Sequence, residues 1–298
     1  MIELEVMQDA SEIIKYDSEM LPFAVQERKL SDYANMRAIS HWHEDLEWIY
    51  ILEGQMNYDI NGKEILLNKG DCLMVNSKQL HFGSAHKEQE CRFIVLLFHP
   101  ELFQCNIAMY QNYVQPVLEN RGGWLEFLHL TSENPAGKEI ARLVQKLLFI
   151  KHHHTKTESY QTVGIFYEIW ELMQTQMEAR KAEKNVNDYS EIILQKQMIH
   201  YIYAHYQEPI SLDDIAAAGN ICRSKCCQIF QKYLKQSPID YLNTYRLEIS
   251  RKLLKDTSYS ITQIAMSCGY NYTSYYSRIF LKRYKESPRE YRKRKVFQ

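Results

Sequence analysis

The sequence predicts an α+β chain of two domains: a β-barrel of the jelly-roll type followed by helices, then an all-α C-terminal domain with two helix-turn-helix units. Three observations predict it. Apolar residues alternate between about residues 37 and 98, then take up 3–4 helical spacing. Near the C-terminus one pattern occurs twice: Ile215-Ala216 returns as Ile264-Ala265, Ile229-Phe230 as Ile279-Phe280, Ser237-Pro238 as Ser287-Pro288, and Tyr241 as Tyr291. Charge divides the chain in the same place. Residues 187–298 hold 18 Lys+Arg against 10 Asp+Glu, and residues 1–186 hold 18 against 27, although the formal net charge is only −1. The expected bounds are 1–132 for the barrel, 133–186 for connecting helices and linker, and 187–298 for the helical domain.

At 298 residues the chain can bury a core in each domain. Its basic third suits a nucleic-acid-binding module joined to one that does not bind nucleic acid. Seven cysteines form an odd set without a C-x-x-C pair, the first ten residues are acidic without an apolar centre, and no apolar run is long enough to span a bilayer. A soluble, cytoplasmic protein in a reducing compartment is expected, with no membrane partner.

Barrel strands are read at residues 46–52, 56–60, 64–67, 72–75 and 92–98, with Asn61-Gly62 as a type I′ hairpin turn. His41, His43 and Glu47 share parity on what reads as one strand, so they project from one face, and His81 lies on a later strand. Trp42, Trp48, Tyr50, Tyr58 and Phe82 suit an aromatic pocket wall or plain core; alternation puts Trp48, Tyr50 and Leu52 on the face opposite Glu47.

From 133 to 182 the helical period returns. Ile140, Leu143, Val144, Leu147 and Leu148 make one stripe, and Val163, Phe166, Trp170, Met173 and Met177 another. The second stripe suits either a homodimer seam or packing within the chain. His152-His153-His154 reads as a polar connector, and residues 180–188 as a polar linker without Pro or Gly.

Four helix starts are marked in the C-terminal domain. Ser211-x-x-Asp214 and Ser260-x-x-Gln263 have the form of capping boxes, and Ser237-Pro238 and Ser287-Pro288 put proline in the first turn. The two helix-turn-helix units are read at about 211–233 and 260–284, offset by 49 residues at first and 50 later, so one residue is added near the turn. In each second helix, Cys226, Ile229, Phe230 and Tyr233, or Tyr276, Ile279, Phe280 and Tyr284, should be core. The outward face then carries Arg223, Ser224, Lys225, Cys227, Gln228 and Lys232 in the first unit. In the second it carries Asn271, Tyr272, Thr273, Ser274, Tyr275, Ser277, Arg278 and Lys282. Such side chains donate to base edges and phosphates.

Residues 187–295 resemble the DNA-binding domain of the AraC/XylS transcription regulators. The likeness rests on Ile261, Ile264, Ala265, Gly269, Tyr270, Ser274, Tyr275, Tyr276, Ser277, Arg278, Phe280 and Lys282, then Ser287, Pro288, Tyr291 and Arg292. It implies two helix-turn-helix units entering successive major grooves, with Arg278 at a base- or phosphate-contacting position. The partners it implies are double-stranded DNA, RNA polymerase, a second copy of the chain, and a small effector such as a sugar. The first unit departs from the pattern: Cys222 stands where the family prefers a capping Ser, and Gln228 where a basic residue is common. Glutamine there favours adenine over guanine.

The spacing His41-x-His43-x3-Glu47-x6-Gly54, then Gly70-x10-His81, resembles the two cupin motifs. In metal-binding cupins those four positions hold a divalent ion. Asn35, Asn76, Lys78 and Ala85 depart from the motifs, which argues against enzymatic chemistry and against an expected metal cofactor. His41, His43, Glu47, His81 and Trp42 are then effector-contact candidates by resemblance. The alternative is a cupin-type metalloenzyme with an appended helical interaction domain, and a third reading is an architectural DNA binder without effector.

Overall fold

The computed structural model of the chain describes residues 11–119, 125–153, 158–180 and 190–296. The acidic first ten residues, the polar linker beyond Arg180, His154 of the histidine run and the side chain of Lys295 lie outside the described residues. The described residues fall into two compact units, one with all the described strands and one with the C-terminal helices.

In the first unit, β1 (Phe23–Lys29), β2 (Leu46–Glu53), β3 (Gln55–Ile60), β4 (Lys63–Asn68), β5 (Cys72–Val75), β6 (His81–Ala85), β7 (Arg92–Phe98) and β8 (Phe127–Leu130) pair antiparallel. They form a five-stranded sheet, β1-β7-β2-β5-β8, and a three-stranded sheet, β4-β3-β6. The five runs read as strands become β2, β3, β4, β5 and β7. At the tip of β3–β4, Asn61 (φ 49°) and Gly62 (φ 81°) are both left-handed, as a type I′ turn requires, and Asp59 Oδ1 accepts from the Gly62 N–H at 2.8 Å. β1 lacks the alternating signal because only its first half is apolar, and it pairs with β7 alone at the sheet edge.

Two short helical pieces, α1 (Ile107–Met109) and α2 (Gln115–Leu118), precede the long helices α3 (Pro135–His152) and α4 (Glu158–Arg180). Trp48, Phe98 and Leu128 of the large sheet share one apolar core with Ile140, Leu143, Val144 and Leu147 of α3 and Phe166, Trp170, Met173 and Met177 of α4. The second stripe is therefore spent inside the chain: those α4 side chains are at most 6% exposed, so they are not a free seam for a second copy. Trp48 packs in this core, while its neighbour Glu47 points to the other face of β2.

The second unit is helical: α5 (Ser190–His205), α6 (Leu212–Ala218), α7 (Arg223–Leu234), α8 (Pro238–Asp256), α9 (Ile261–Ser267), α10 (Thr273–Tyr284) and α11 (Pro288–Val296). Both capping boxes form, each Ser accepting from the backbone N–H three residues on while that residue's side chain reaches back. The turns repeat too. Ile221 N–H donates to Ala216 O at 3.1 Å, and Tyr270 N–H to Ala265 O at 3.0 Å. The added residue lies after this point, where Tyr270-Asn271 precedes the cap Tyr272 but only Ile221 precedes the cap Cys222. Neither Cys222 nor Tyr272 makes a side-chain cap bond.

Candidate nucleic-acid interface and effector site

The α7 and α10 helices are each twelve residues long and amphipathic in the same phase. Cys226, Ile229, Phe230 and Tyr233 are buried on α7; Tyr276, Phe280 and Tyr284 on α10, with Ile279 half-buried. Burial of these residues turns the polar ones outward. Arg223, Ser224, Gln228 and Lys232 are exposed, and Lys225 and Cys227 half-buried. Asn271, Tyr272, Ser274, Tyr275, Arg278 and Lys282 are exposed, and Thr273 and Ser277 half-buried.

The two outward faces differ in how their charge is held. On α7, Arg223 pairs with Asp213, and Lys225 and Lys232 each lie 2.5 Å from one carboxylate, Glu191 on α5. Hydrogen bonds from Lys225, Lys232 and Tyr233 hold the Glu191 carboxyl down to about 2. On α10, Arg278 lies over the Tyr275 ring, 5.4 Å from its centroid, and among the described residues neither Arg278 nor Lys282 has a carboxylate partner. Sequence reasoning missed Glu191, which is 34 residues from Lys225 and has no periodic relation to it.

In the barrel unit, His41, His43, Glu47 and His81 come together, their ligand-type atoms all within 4.8 Å of one another. They are not arranged as parity on one strand would have it. His41 and His43 precede β2, a bend at Glu44 and Asp45 intervenes, and only Glu47 is on the strand. His41 instead pairs as an isolated bridge with His81 at the start of β6. The cluster thus spans both sheets.

The imidazoles are oriented by backbone. Nδ1 of His41, His43 and His81 lies 2.8, 3.0 and 2.9 Å from the carbonyl oxygens of Ile39, Asp45 and Gln79. A carbonyl only accepts, so each Nδ1 donates to it; Nε2 of His43 and His81 then faces Glu47, donating to the carboxylate when the ring is protonated and free to offer a lone pair when it is neutral. Nε2 of His43 and of His81 are both 3.2 Å from Glu47 Oε2, and Tyr58 O–H donates to Glu47 Oε1 at 2.5 Å. Around an ion with bonds of about 2.1 Å, neighbouring ligand atoms lie about 3.0–3.4 Å apart; His43 Nε2 and His81 Nε2 have that spacing from Glu47 Oε2, while the four ligand atoms together spread over as much as 4.8 Å, so the donor set suits a divalent metal in chemistry and would have to draw in around it.

Burial would raise the Glu47 carboxyl, but the His81 charge and hydrogen bonds from His43 and His81 hold it well below the usual range. Burial would lower His43, yet its hydrogen bond and attraction to Glu47 raise it. His41 is pushed down to about 3, by burial first and then by repulsion from His81 and His43. Glu12, absent from sequence reasoning, completes the wall: its Oε2 is 3.3 Å from His41 Nε2, its N–H donates to Trp42 O at 2.8 Å, and burial pushes its carboxyl up to about 7. Trp42 is half-buried and is not among the four.

Comparison with known proteins agrees with both halves. Residues 23–162 match the family model of the AraC-like ligand binding domain, and residues 215–294 match that of a helix-turn-helix domain. The chain is 30% identical over 293 residues to the HTH-type transcriptional regulator YdeC of Bacillus subtilis, covering 96% of this chain and 97% of that one. It is 21% identical to the melibiose operon regulatory protein of Escherichia coli, over 85% and 83% of the two chains. Among solved structures it is similar to ToxT of Vibrio cholerae with unsaturated fatty acid bound, at 15% identity, 91% and 94% coverage and a TM-score of 0.47, a likeness too loose to assign a ligand. No described helix is long and apolar enough to cross a membrane. With a ligand-binding domain ahead of a helix-turn-helix DNA-binding domain, the chain belongs to the AraC family of transcription regulators.

Proposed function

We propose that a small polar effector binds at the His41, His43, Glu47 and His81 cluster beside Trp42, and that α7 and α10 read two successive major grooves of one promoter. The observation that carries the DNA half is the duplicated display of two equally long helices with polar outward faces, each preceded by a short helix that starts with a capping box. Arg223, Ser224, Lys225, Cys227, Gln228 and Lys232 face the first groove. Asn271, Tyr272, Thr273, Ser274, Tyr275, Ser277, Arg278 and Lys282 face the second. A recognition helix presents its N-terminal residues to base edges and its flanks to phosphates, which these positions match.

The protein works in the cytoplasm as a homodimer, contacts RNA polymerase from the promoter, and performs no catalysis of its own. Family membership supports these assignments. A sugar or related metabolite suits a site of imidazoles and carboxyl groups, which offer hydrogen bonds to hydroxyls. The effector acts by binding two arrangements of the protein with different affinity. Hydroxyl-radical footprinting on selected DNA should show two protected grooves about one helical turn apart per protomer. Protection of a single groove would refute the paired geometry.

A second reading is favoured by the three backbone-locked imidazoles: His41, His43, His81 and Glu47 hold a divalent ion on which the effector rests. An ion there would supply a Lewis-acidic contact for an oxygen-bearing ligand. Elemental analysis of protein made without a histidine tag decides it, with one equivalent of metal expected and none sinking the reading.

A further inference from the structure

Lys225 Nζ, Lys232 Nζ and the Tyr233 hydroxyl converge on the two oxygens of Glu191 at 2.5, 2.5 and 2.9 Å. Two lysines and a tyrosine hydroxyl of the first reading helix therefore form an anion cradle, and the anion in it belongs to the neighbouring helix α5. We propose that this cradle is a DNA phosphate site, and that Glu191 occupies it as an internal phosphate mimic until a phosphodiester displaces the carboxylate. The proposal rests on the reading that α7 faces DNA.

The chemistry of the exchange is balanced. A carboxylate and a phosphodiester each carry one negative charge and at least two acceptor oxygens, so the same lysines and hydroxyl serve either. The carboxylate is two-sided in its contacts, Oε1 to Lys225 and Oε2 to Lys232 and Tyr233, as a bridging phosphate would be. It is mostly buried, at 17% side-chain exposure, whereas the lysines are 42% and 59% exposed, so a phosphate can reach the two ammonium groups from outside while the buried Tyr233 backs them. With Arg223 paired to Asp213, every basic residue proposed for the first groove carries an internal counter-charge, and among the described residues neither of those proposed for the second does. The second unit then supplies the unhindered electrostatic grip, while the first engages only by giving up Glu191. Glu191 is also the second residue of α5, the first helix after the segment joining the domains.

Phosphate contacts are sequence-independent, so the test needs no known operator. Full-length wild type and Glu191→Gln are titrated onto a mixed-sequence 30-base-pair duplex, by fluorescence anisotropy at several salt concentrations. Glu191→Gln should bind about threefold to tenfold more tightly at low salt, with the slope of log K against log salt steeper by about one. Adding Lys225→Gln and Lys232→Gln to Glu191→Gln should abolish the gain. Unchanged or weaker binding by Glu191→Gln, with a circular dichroism spectrum like wild type, overturns the proposal; so does a gain that survives loss of both lysines. Arg223→Gln separates the two levels: if it weakens binding while Glu191→Gln is neutral, the cradle fails but the groove assignment stands. If neither matters, α7 does not face DNA and both fail.

Discussion

Asn220 and Gly269 hold the same left-handed place in the two turns, at φ 56° and 77°. Only glycine fits the second. A Cβ on Gly269 would lie 2.4 Å from Tyr206 O and 2.7 Å from an Arg246 guanidinium nitrogen. That arginine is fixed, donating to Tyr206 O at 2.7 Å and Glu208 O at 2.6 Å. Gly269→Ala should cost about 2–4 kcal/mol in urea unfolding, from left-handed strain and the backbone clash together. Asn220→Gly should change stability by under about 1 kcal/mol, since asparagine tolerates this region.

The cap of α7 lacks the side-chain hydrogen bond that Ser211, Ser237 and Ser260 make at the starts of α6, α8 and α9. Ser260 Oγ accepts from Gln263 N–H at 3.2 Å, whereas Cys222 makes no side-chain cap bond. Ser260→Ala should lose about 1 kcal/mol, and Cys222→Ser should gain about 0.5–1 kcal/mol. Denaturant midpoints of the full chain check both.

Gln228 and Arg278 are both exposed on the outward faces of their helices. Selection from a random duplex library should give wild type and Gln228→Ala different consensus sequences in one half-site only, with adenine lost where glutamine read it. Arg278→Ala should weaken binding to the selected DNA by about tenfold or more. Equal losses across all sequences for Gln228→Ala would remove it from base reading.

Glu191 gives the stability a defined acid limb. Its folded carboxyl sits at about 2, below its ordinary 4.5, so its contribution is present above about 4.5 and is lost as pH falls towards 2. Because the two lysine side chains are 42% and 59% exposed, the loss is about 1 kcal/mol or less. Glu191→Gln should therefore be slightly less stable than wild type at pH 7, and the two should converge near pH 2. Parallel stability curves across that range would show that the carboxylate makes no net contribution.

Tyr58 is the donor to the Glu47 oxygen that no imidazole reaches. Tyr58→Phe should leave that buried oxygen unpaired and cost about 1–3 kcal/mol. If the cluster takes up a divalent ion, added metal should raise the melting temperature of wild type and not of His81→Ala, and a chelator should reverse the rise. Equal shifts in both proteins would place the ion elsewhere.

The sequence by itself determined what depends on neighbours a few residues apart. The Ser211 and Ser260 caps, the Asn61-Gly62 turn, the strands from β2 to β5 and the duplicated helix pairs all follow from local spacing, because capping, turn geometry and face periodicity are local effects. The DNA-binding half was legible for that reason, and for its family signature. The tertiary structure decided which distant groups meet. It set His41 and His43 ahead of a bend rather than on one strand, and turned them to His81 on the other sheet. It brought Glu12 to His41 and Tyr58 to Glu47, and sent the α4 stripe into the barrel core. It also placed Glu191 against Lys225 and Lys232, 34 and 41 residues away. No repeat length encodes such pairings. They arise when apolar faces are buried against each other, and the polar groups carried along must find partners where packing leaves them.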